Sequence, residues 1–277
     1  MEAQSGARIE PRDHEPRRGV SHVTKWIAGA SPQRWARMYG GLYVINIVFG
    51  FFAIGYLPAM LVVSGNAAAT AQNIQAHELL YRLGLVAHII VVLTNIPMTL
   101  IFYELLKVVN RKLALLDVFF GLVATAIEGA NLLNQFTPLI LLGGGHALSA
   151  FTPEQVQALA SLSLDSQAMS YTIQQIFYAG DLLTAGYLVF RSTFVPRAVG
   201  VGLWIGALCY LIYSFADILA PGFAAHLVPY IQVPSGLAEC SLCLWFLVMG
   251  VNVSRWERQA SQASEFDQSV SGRAAVE

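Results

Sequence analysis

The sequence predicts an all-α fold, a polytopic bundle of six transmembrane helices with both termini in the cytoplasm. Composition is the first observation: 56% of the 277 residues are hydrophobic and 12% are charged, whereas a typical soluble domain has about 25% charged residues. The second observation is that six apolar stretches reach the roughly 20 residues that a helix needs to cross a bilayer. The third is that basic residues concentrate in alternate connections between these stretches.

Six segments have the length and apolarity of a membrane span. They run from Tyr39 to Val63, Leu79 to Leu106, Leu113 to Leu142, Ser166 to Phe190, Pro196 to Ala220 and Tyr230 to Val253. We therefore expect a transmembrane domain over residues 31–257. The flanking segments, 1–30 and 258–277, are rich in polar residues and have little to bury, so we expect both to be disordered and cytoplasmic.

The direction of the spans follows from the positions of Lys and Arg, which are retained on the cytoplasmic side of a membrane. Fifteen of the sixteen basic residues lie in the N-terminal segment, the second and fourth connections and the C-terminal tail. Arg82, at the start of the second span, is the exception. This pattern predicts a multi-pass protein of the cell (inner) membrane, with the lipid bilayer as its partner. The formal net charge of -1 provides no basic field that would attract nucleic acid.

Two external connections contain sequences that favour helices. GNAAATAQNIQAHELLYR, between the first two spans, is rich in helix formers and is expected to continue as a helix into the second span. The connection after the third span contains FTPEQVQALASLSL, in which Thr152 can cap a helix, Pro153 takes its first position and Gln155 completes a capping box. We expect a short helix there, lying on the outer surface.

Each span places its polar and small residues on one face. In the third span this face consists of Asp117, Gly121, Ala124, Glu128, Asn131 and Gln135. In the fourth it consists of Gln167, Tyr171, Gln174, Tyr178 and Asp181. The remaining spans have shorter polar faces, which include Tyr43, Asn46, His88, Asn95, Tyr210 and Glu239. Members of a face follow one another at helical spacing, and unpaired polar groups are costly in hydrocarbon, so these faces should point into the bundle.

Three acidic residues near the middle of their spans are the strongest functional candidates: Glu128, Asp181 and Glu239. A charged acid at that depth costs roughly 2.5 to 3.5 kcal/mol, and intramembrane acids are therefore functional candidates by default. We predict that the three converge on one site, within about 12 Å of one another, and hold protons when no cation is bound. The other candidates for ligand binding or proton exchange are His88, Asn131, Gln174 and Asn95.

Other polar residues have a simpler interpretation. Asparagine, glutamine, tyrosine, serine and glycine on the polar faces can serve helix packing alone. Asp117, Glu104 and Asp217 lie closer to the interfaces, where we expect them to be solvated. Cys240 and Cys243 form a C-x-x-C pair inside an apolar helix, which favours a packing role. The histidines have no ligand spacing, so we expect neither a metal nor a cofactor.

Several stretches resemble a known family. GLYVINIVFGFFAIGYLP, GNAAATAQNIQAHELLYRLGLV, NRKLALLDVFFGLVATAIEGANLLN and YLVFRSTFVPRAVGVGLWIGALCYLIYSFADIL are similar to the family called domain of unknown function 4386. The similarity covers roughly Gln33 to Asn252. The resemblance implies a helical membrane protein, and because no activity is assigned to the family, it implies no site residue.

Three classes of function remain open from the sequence. The leading hypothesis is a permease or sensor whose polar core binds a small molecule or exchanges protons. A membrane-embedded enzyme acting on a lipid-like substrate would use Glu128, His88 or Asp181 as acid or base, although no nucleophile–base motif supports it. A structural or regulatory protein would use its polar faces for packing only. A cavity open to one aqueous side favours transport, a cavity open to lipid favours the enzyme, and a closed core favours the structural role.

Overall fold

The computed structural model describes residues 31–144 and 149–274, and all regular structure in these ranges is helical. The helices are α1 (Pro32–Leu61), α2 (Ala67–Ala76), α3 (Glu78–Leu106), α4 (Arg111–Leu142), α5 (Pro153–Arg191), α6 (Arg197–Leu219), α7 (Pro221–Leu227), α8 (Tyr230–Met249) and α9 (Val253–Ala274). Five of them, α1, α3, α4, α6 and α8, are long and apolar enough to cross a membrane. The predicted N-terminal segment 1–30 lies outside the described residues.

Local sequence explains where several helices begin. Asn66 caps α2, because its Oδ1 accepts a hydrogen bond from Ala69 N at 2.9 Å. Asn110 caps α4 in the same way through Leu113 N at 3.0 Å. Side-chain acceptors at these positions satisfy N–H groups that have no partner inside the helix.

Two of the apolar helices depart from regular α geometry. In α1 the segment Phe51–Tyr56 is a π-helix, and α8 ends in a second π-helix over Trp245–Met249. Such insertions widen a helix locally and are frequent at functional sites. The start of α1 is joined to the end of α8, because Gln33 Nε2 donates to Met249 O at 3.1 Å and Gln33 Oε1 accepts from Val251 N at 2.9 Å.

Six long helices form a closed ring. Going around it, α1 packs against α3, α3 against α4, α4 against α5, α5 against α6, α6 against α8, and α8 against α1. Close approach between α6 and α8 depends on Gly206, whose carbonyl oxygen accepts a hydrogen bond from Ser235 Oγ at 2.9 Å. The first and last long helices of the chain are therefore neighbours, and the ring surrounds a central space.

The capping box after the third apolar stretch is present, but the helix that it starts is not a separate one. Gln155 N donates to Thr152 Oγ1 at 3.3 Å, and Thr152 N donates to Gln155 Oε1 at 2.9 Å. Hydrogen bonding from its own backbone N–H, and then from Thr152, lowers the pKa of Glu154 in this first turn. The helix then continues without a break to Arg191. The prediction of a short, separate helix is wrong because no Gly or Pro between residues 154 and 179 interrupts it.

The connection before α3 also differs in detail from the expectation. Residues 67–76 are helical, but His77, with φ -121° and ψ 37°, separates this helix from α3. The two helices are thus distinct elements.

The last helix overlaps the C-terminal segment for which we expect disorder, and that disorder stays a prediction. Helix α9 covers most of residues 258–277, and its first turns are held by the rest of the protein. Trp256 Nε1 donates to Leu105 O at 2.9 Å, Arg255 Nη1 donates to Thr193 O at 3.2 Å, and Gln259 Oε1 accepts from Thr193 N at 3.1 Å. These contacts join distant parts of the chain, so composition alone did not reveal them.

Candidate ligand-binding cavity

The ring encloses a cavity of about 670 Å³. This volume lies within the range of roughly 300 to 1,000 Å³ that is usual for small-molecule sites. All six helices of the ring contribute lining residues. The cavity is therefore a property of the whole ring rather than of one helix pair.

All seven residues proposed from the sequence line this cavity. They are His88 and Asn95 on α3, Glu128 and Asn131 on α4, Gln174 and Asp181 on α5, and Glu239 on α8. The three acids belong to separate hydrogen-bonded groups within it. Their mutual distances of less than about 12 Å and their protonation remain predictions.

The first group is built around Glu128 and His88, which are 5% and 2% exposed. His88 Nε2 lies 3.2 Å from Glu128 Oε1, and His88 Nδ1 lies 2.8 Å from Gln135 Oε1. The second carboxylate oxygen, Glu128 Oε2, accepts from Asn95 Nδ2 at 3.1 Å. Asn46 on α1 donates to Asn95 Oδ1 at 2.8 Å and so connects a third helix to the pair.

The second group surrounds Glu239 with three tyrosines from three helices. Tyr43 and Tyr178 each donate to Glu239 Oε2 at 2.9 Å, and Tyr210 donates to Glu239 Oε1 at 2.9 Å. Because all three donors are hydroxyl groups, they can stabilise a negative charge on Glu239 without a basic side chain. The tyrosine rings form an aromatic wall beside the carboxylate, with the rings of Tyr178 and Tyr210 centred 5.8 Å apart.

The third group contains two aspartates. Asp117 Oδ1 accepts a hydrogen bond from Thr184 Oγ1 at 2.8 Å. Asp181 packs against Gly121, where a Cβ atom would lie 3.0 Å from Asp181 Oδ1. Within the part of the chain that the structure describes, the Asp181 carboxylate accepts no hydrogen bond. The Asp181 carboxylate faces the cavity, and its oxygens are available to accept hydrogen bonds from a ligand.

The two remaining candidates differ in their contacts. Asn131 joins α4 to α5, because its Nδ2 donates to Gln167 O at 2.9 Å and its Oδ1 accepts from Asn134 Nδ2 at 3.0 Å. Its polar atoms therefore already serve helix packing. Gln174 is buried against the cavity, and over residues 31–144 and 149–274 its side chain makes no hydrogen bond.

Several residues of these groups are not among the site residues predicted from the sequence. Tyr43, Tyr178, Tyr210 and Gln135 were recognised as members of polar faces but not as site residues. The signal that could have identified the tyrosines is their position on three different polar faces near the depth of Glu239.

The expectation that Asp117 is solvated was wrong. This residue is 2% exposed and lines the cavity. Thr184, one turn beyond Asp181 on α5, donates to the buried carboxylate and offsets part of the cost of its burial.

The cavity lining is acidic. It contains five carboxylate side chains, those of Asp117, Glu128, Asp165, Asp181 and Glu239. Among the lining residues that the structure describes, His88 is the one side chain that can offset them, and neither Lys nor Arg takes part. Each of these carboxyl groups that is ionised adds negative charge, which favours a cation over an anion or a neutral molecule.

The exposed lining residues indicate where the cavity opens. Phe51 and Gly55 come from the C-terminal half of α1, and Val62 directly follows this helix. Asp165 and Ala168 come from the N-terminal half of α5. These two helices lie opposite each other in the ring. From these residues we infer a mouth between the two helices, at the end of the ring that carries α2, which we call the α2 end. The opposite end, which carries the start of α9, is the α9 end.

Comparison with known proteins gives a family and no assigned activity. A family model described as "Domain of unknown function (DUF4386)" matches residues 38–250. No curated protein matches the chain. No solved structure matches it either.

Proposed function

The chain belongs to the family described as Domain of unknown function (DUF4386), and from its cavity we propose that it is a membrane protein that binds a small organic cation, as a permease or a sensor. The acidic lining is the observation that carries this proposal. Five carboxylates face one cavity, and in the described lining a single imidazole opposes them. Burying several acids without basic partners is unfavourable, so a ligand that brings positive charge is stabilised there.

The tyrosines around Glu239 favour an organic cation over a bare metal ion as the ligand. A bare metal ion would require several converging oxygen ligands with open coordination positions, whereas Glu239 already accepts three hydroxyl donors. Aromatic rings attract substituted ammonium groups through their π faces, by about 0.5 to 2 kcal/mol per ring. Tyr39 and Tyr171 add two more rings to the same lining.

Six membrane spans with cytoplasmic termini are the arrangement that we propose for the ring. Helix α5 is less apolar than the other five because the face that it turns to the cavity carries Gln167, Tyr171, Gln174, Gln175 and Asp181. It packs between α4 and α6, two helices that are long and apolar enough to cross. A polar face toward a water-filled cavity is compatible with a membrane position.

The distribution of basic residues supports the proposed orientation. Lys107, Arg111, Arg191, Arg197 and Arg255 all lie at the α9 end. Arg82 lies at the α2 end, where it pairs with Glu78 at 2.7 Å. The positive side of a membrane protein is cytoplasmic, so the mouth at the α2 end would face outward. A mouth of this kind favours transport or sensing over a role in packing alone.

Direct binding measurements test the proposal. Purified protein in nanodiscs is titrated with benzyltrimethylammonium, and benzenesulfonate serves as an aromatic anion of similar size. We expect saturable binding of the cation alone. Glu239→Gln should weaken it by about tenfold or more, which corresponds to roughly 1.4 kcal/mol. The matched control is Glu78→Gln, at a 54% exposed side chain outside the cavity. Equal binding of both ions, or equal affinity of the two variants, would refute the proposal.

A further inference from the structure

We propose that the cation enters in exchange for one proton, which His88 and Glu128 share while the cavity holds no cation. This inference rests on the proposed cation binding. It adds a proton site at a different place in the cavity from the Glu239 group.

The hydrogen bonds of His88 define how many protons the pair holds. Gln135 Oε1 can only accept, so His88 Nδ1, at 2.8 Å, carries a hydrogen. Between His88 Nε2 and Glu128 Oε1, at 3.2 Å, one further proton completes the contact. It resides either on Nε2, giving an imidazolium and a carboxylate, or on Glu128, giving two neutral groups. Both arrangements contain the same single proton and have no net charge.

Loss of this proton leaves one negative charge in a buried place. His88 and Glu128 are 2% and 5% exposed, so water can stabilise that charge only weakly. Asn95 Nδ2 donates one hydrogen bond to Glu128 Oε2 at 3.1 Å. Neither Lys nor Arg is found among the described lining residues. A cation that enters the cavity supplies the missing positive charge, and its arrival therefore favours release of the proton to water through the mouth.

Helix α1 connects the proton site to the proposed cation site. Asn46 Nδ2 donates to Asn95 Oδ1 at 2.8 Å, and Asn95 in turn holds Glu128. Tyr43, three residues earlier on the same helix face, holds Glu239 at 2.9 Å. One segment of α1 thus contacts both sites, and it precedes the π-helix at Phe51–Tyr56.

The remaining ionisable groups around the pair are acids and tyrosines. The other ionisable side chains that line the cavity are Tyr39 and Tyr43 of α1, Tyr81 of α3, Asp117 of α4, Asp165, Tyr171, Tyr178 and Asp181 of α5, Tyr210 of α6, and Glu239 of α8. Tyr171 interacts electrostatically with both Glu128 and Glu239, so these two acids share one neighbourhood. None of these groups can replace the positive charge of the departing proton.

Proton release on ligand binding tests the exchange. Protein in nanodiscs is mixed with benzyltrimethylammonium in weakly buffered solution that contains a pH indicator. This quaternary cation has no proton of its own to release, so any acidification comes from the protein. We expect about one proton per bound cation and, by linkage, an affinity that rises up to about tenfold per pH unit over the range in which the pair holds its proton.

Glu128→Gln gives the critical comparison. A glutamine amide can accept from Asn95 and donate to His88 Nε2, and so reproduces the protonated glutamate with no proton to lose. The variant should bind the cation without acidification and with an affinity that does not depend on pH, while Glu78→Gln behaves as wild type.

If wild type binds the cation without releasing a proton, the exchange is wrong and cation binding stands. If wild type does not bind the cation, the proposed function itself fails. Proton release that persists in Glu128→Gln would overturn the assignment to this pair. The slope of the wild-type affinity against pH gives the number of protons released per bound cation, and this measurement needs no variant.

Discussion

Gly186 on α5 and Gly200 on α6 meet backbone to backbone where the two helices cross. A Cβ atom on Gly200 would lie 2.7 Å from the carbonyl oxygen of Gly186, and one on Gly186 would lie 2.9 Å from the carbonyl oxygen of Gly200. Contacts this short do not occur for real side chains, so both positions require glycine. Because α5 and α6 carry Tyr178 and Tyr210, this crossing also sets the distance between two of the hydroxyl groups that hold Glu239.

Replacement of Gly200 by Ala should therefore destabilise the protein by about 1 to 3 kcal/mol through overpacking. The matched control is Gly41→Ala in α1, where a Cβ atom would meet no other atom within 4 Å. That change should be neutral, or stabilising by up to about 1 kcal/mol, because alanine favours helices more than glycine does. Thermal unfolding in detergent measures both variants. Equal unfolding temperatures would contradict the close crossing.

The tyrosine contacts to Glu239 predict a loss of stability when one hydroxyl is removed. Tyr210→Phe takes away the hydrogen bond to Glu239 Oε1 and leaves this oxygen without its donor. The expected cost is about 1 to 3 kcal/mol, seen as a lower unfolding temperature. Tyr187→Phe is the control, since Tyr187 is 39% exposed and lies outside the cavity lining. An unchanged unfolding temperature for Tyr210→Phe would argue against the contact.

Glu128 should tolerate an isosteric replacement but not truncation. Glu128→Gln keeps partners for Asn95 and His88, and its unfolding temperature should stay near that of wild type. Glu128→Ala leaves Asn95 Nδ2 and His88 Nε2 without their partners, at an expected cost of about 1 to 3 kcal/mol for each group. Calorimetry of the two variants side by side gives the comparison. Similar destabilisation by both would mean that charge, rather than hydrogen bonding, maintains this group.

The proposed orientation can be tested with single cysteines in a variant that lacks Cys209, Cys240 and Cys243. Cysteines at Asn66 and Gly222, both exposed at the α2 end, should react in intact cells with a membrane-impermeant thiol reagent. A cysteine at Asn110, exposed at the α9 end, should react only after the membrane is opened. Ser192, which occupies the same end, is only 4% exposed and makes a poor probe. If the cysteine at position 110 alone were labelled in intact cells, the orientation would be the reverse of the one that we propose.

Helical spacing allowed much of the cavity to be predicted. Polar residues on the third and fourth spans repeat every three or four positions, and Glu128, Asn131, Gln174 and Asp181 all line the cavity. A helical face can be derived from sequence because it depends only on local geometry. Which faces meet depends on the order of the helices around the ring. That order cannot be derived from the spacing of residues along the chain.

Partners of the buried acids show this limit most clearly. Thr184 and Asp117 are separated by 67 residues, and their hydrogen bond offsets part of the cost of burying the aspartate. Nothing near Asp117 in the chain indicates this partner, so its distance from the centre of the span suggested solvation. Likewise, Trp256 and Leu105 lie 151 residues apart, and their hydrogen bond holds the first turn of α9 against α3. Partners that lie so far apart in the chain can be identified only from the folded structure.

Ring closure between the first and last long helices has a consequence for biosynthesis. Helix α1 enters the membrane early, but its neighbour α8 is translated last among the six, and Glu239 arrives with it. Until then, Tyr43, Tyr178 and Tyr210 face a gap in an open chain of helices. The ribosome has thus made nearly the whole protein before the acidic centre of the tyrosine group exists. A chain whose synthesis stops before α8 would therefore lack both the closed ring and the carboxylate at the centre of the tyrosine group.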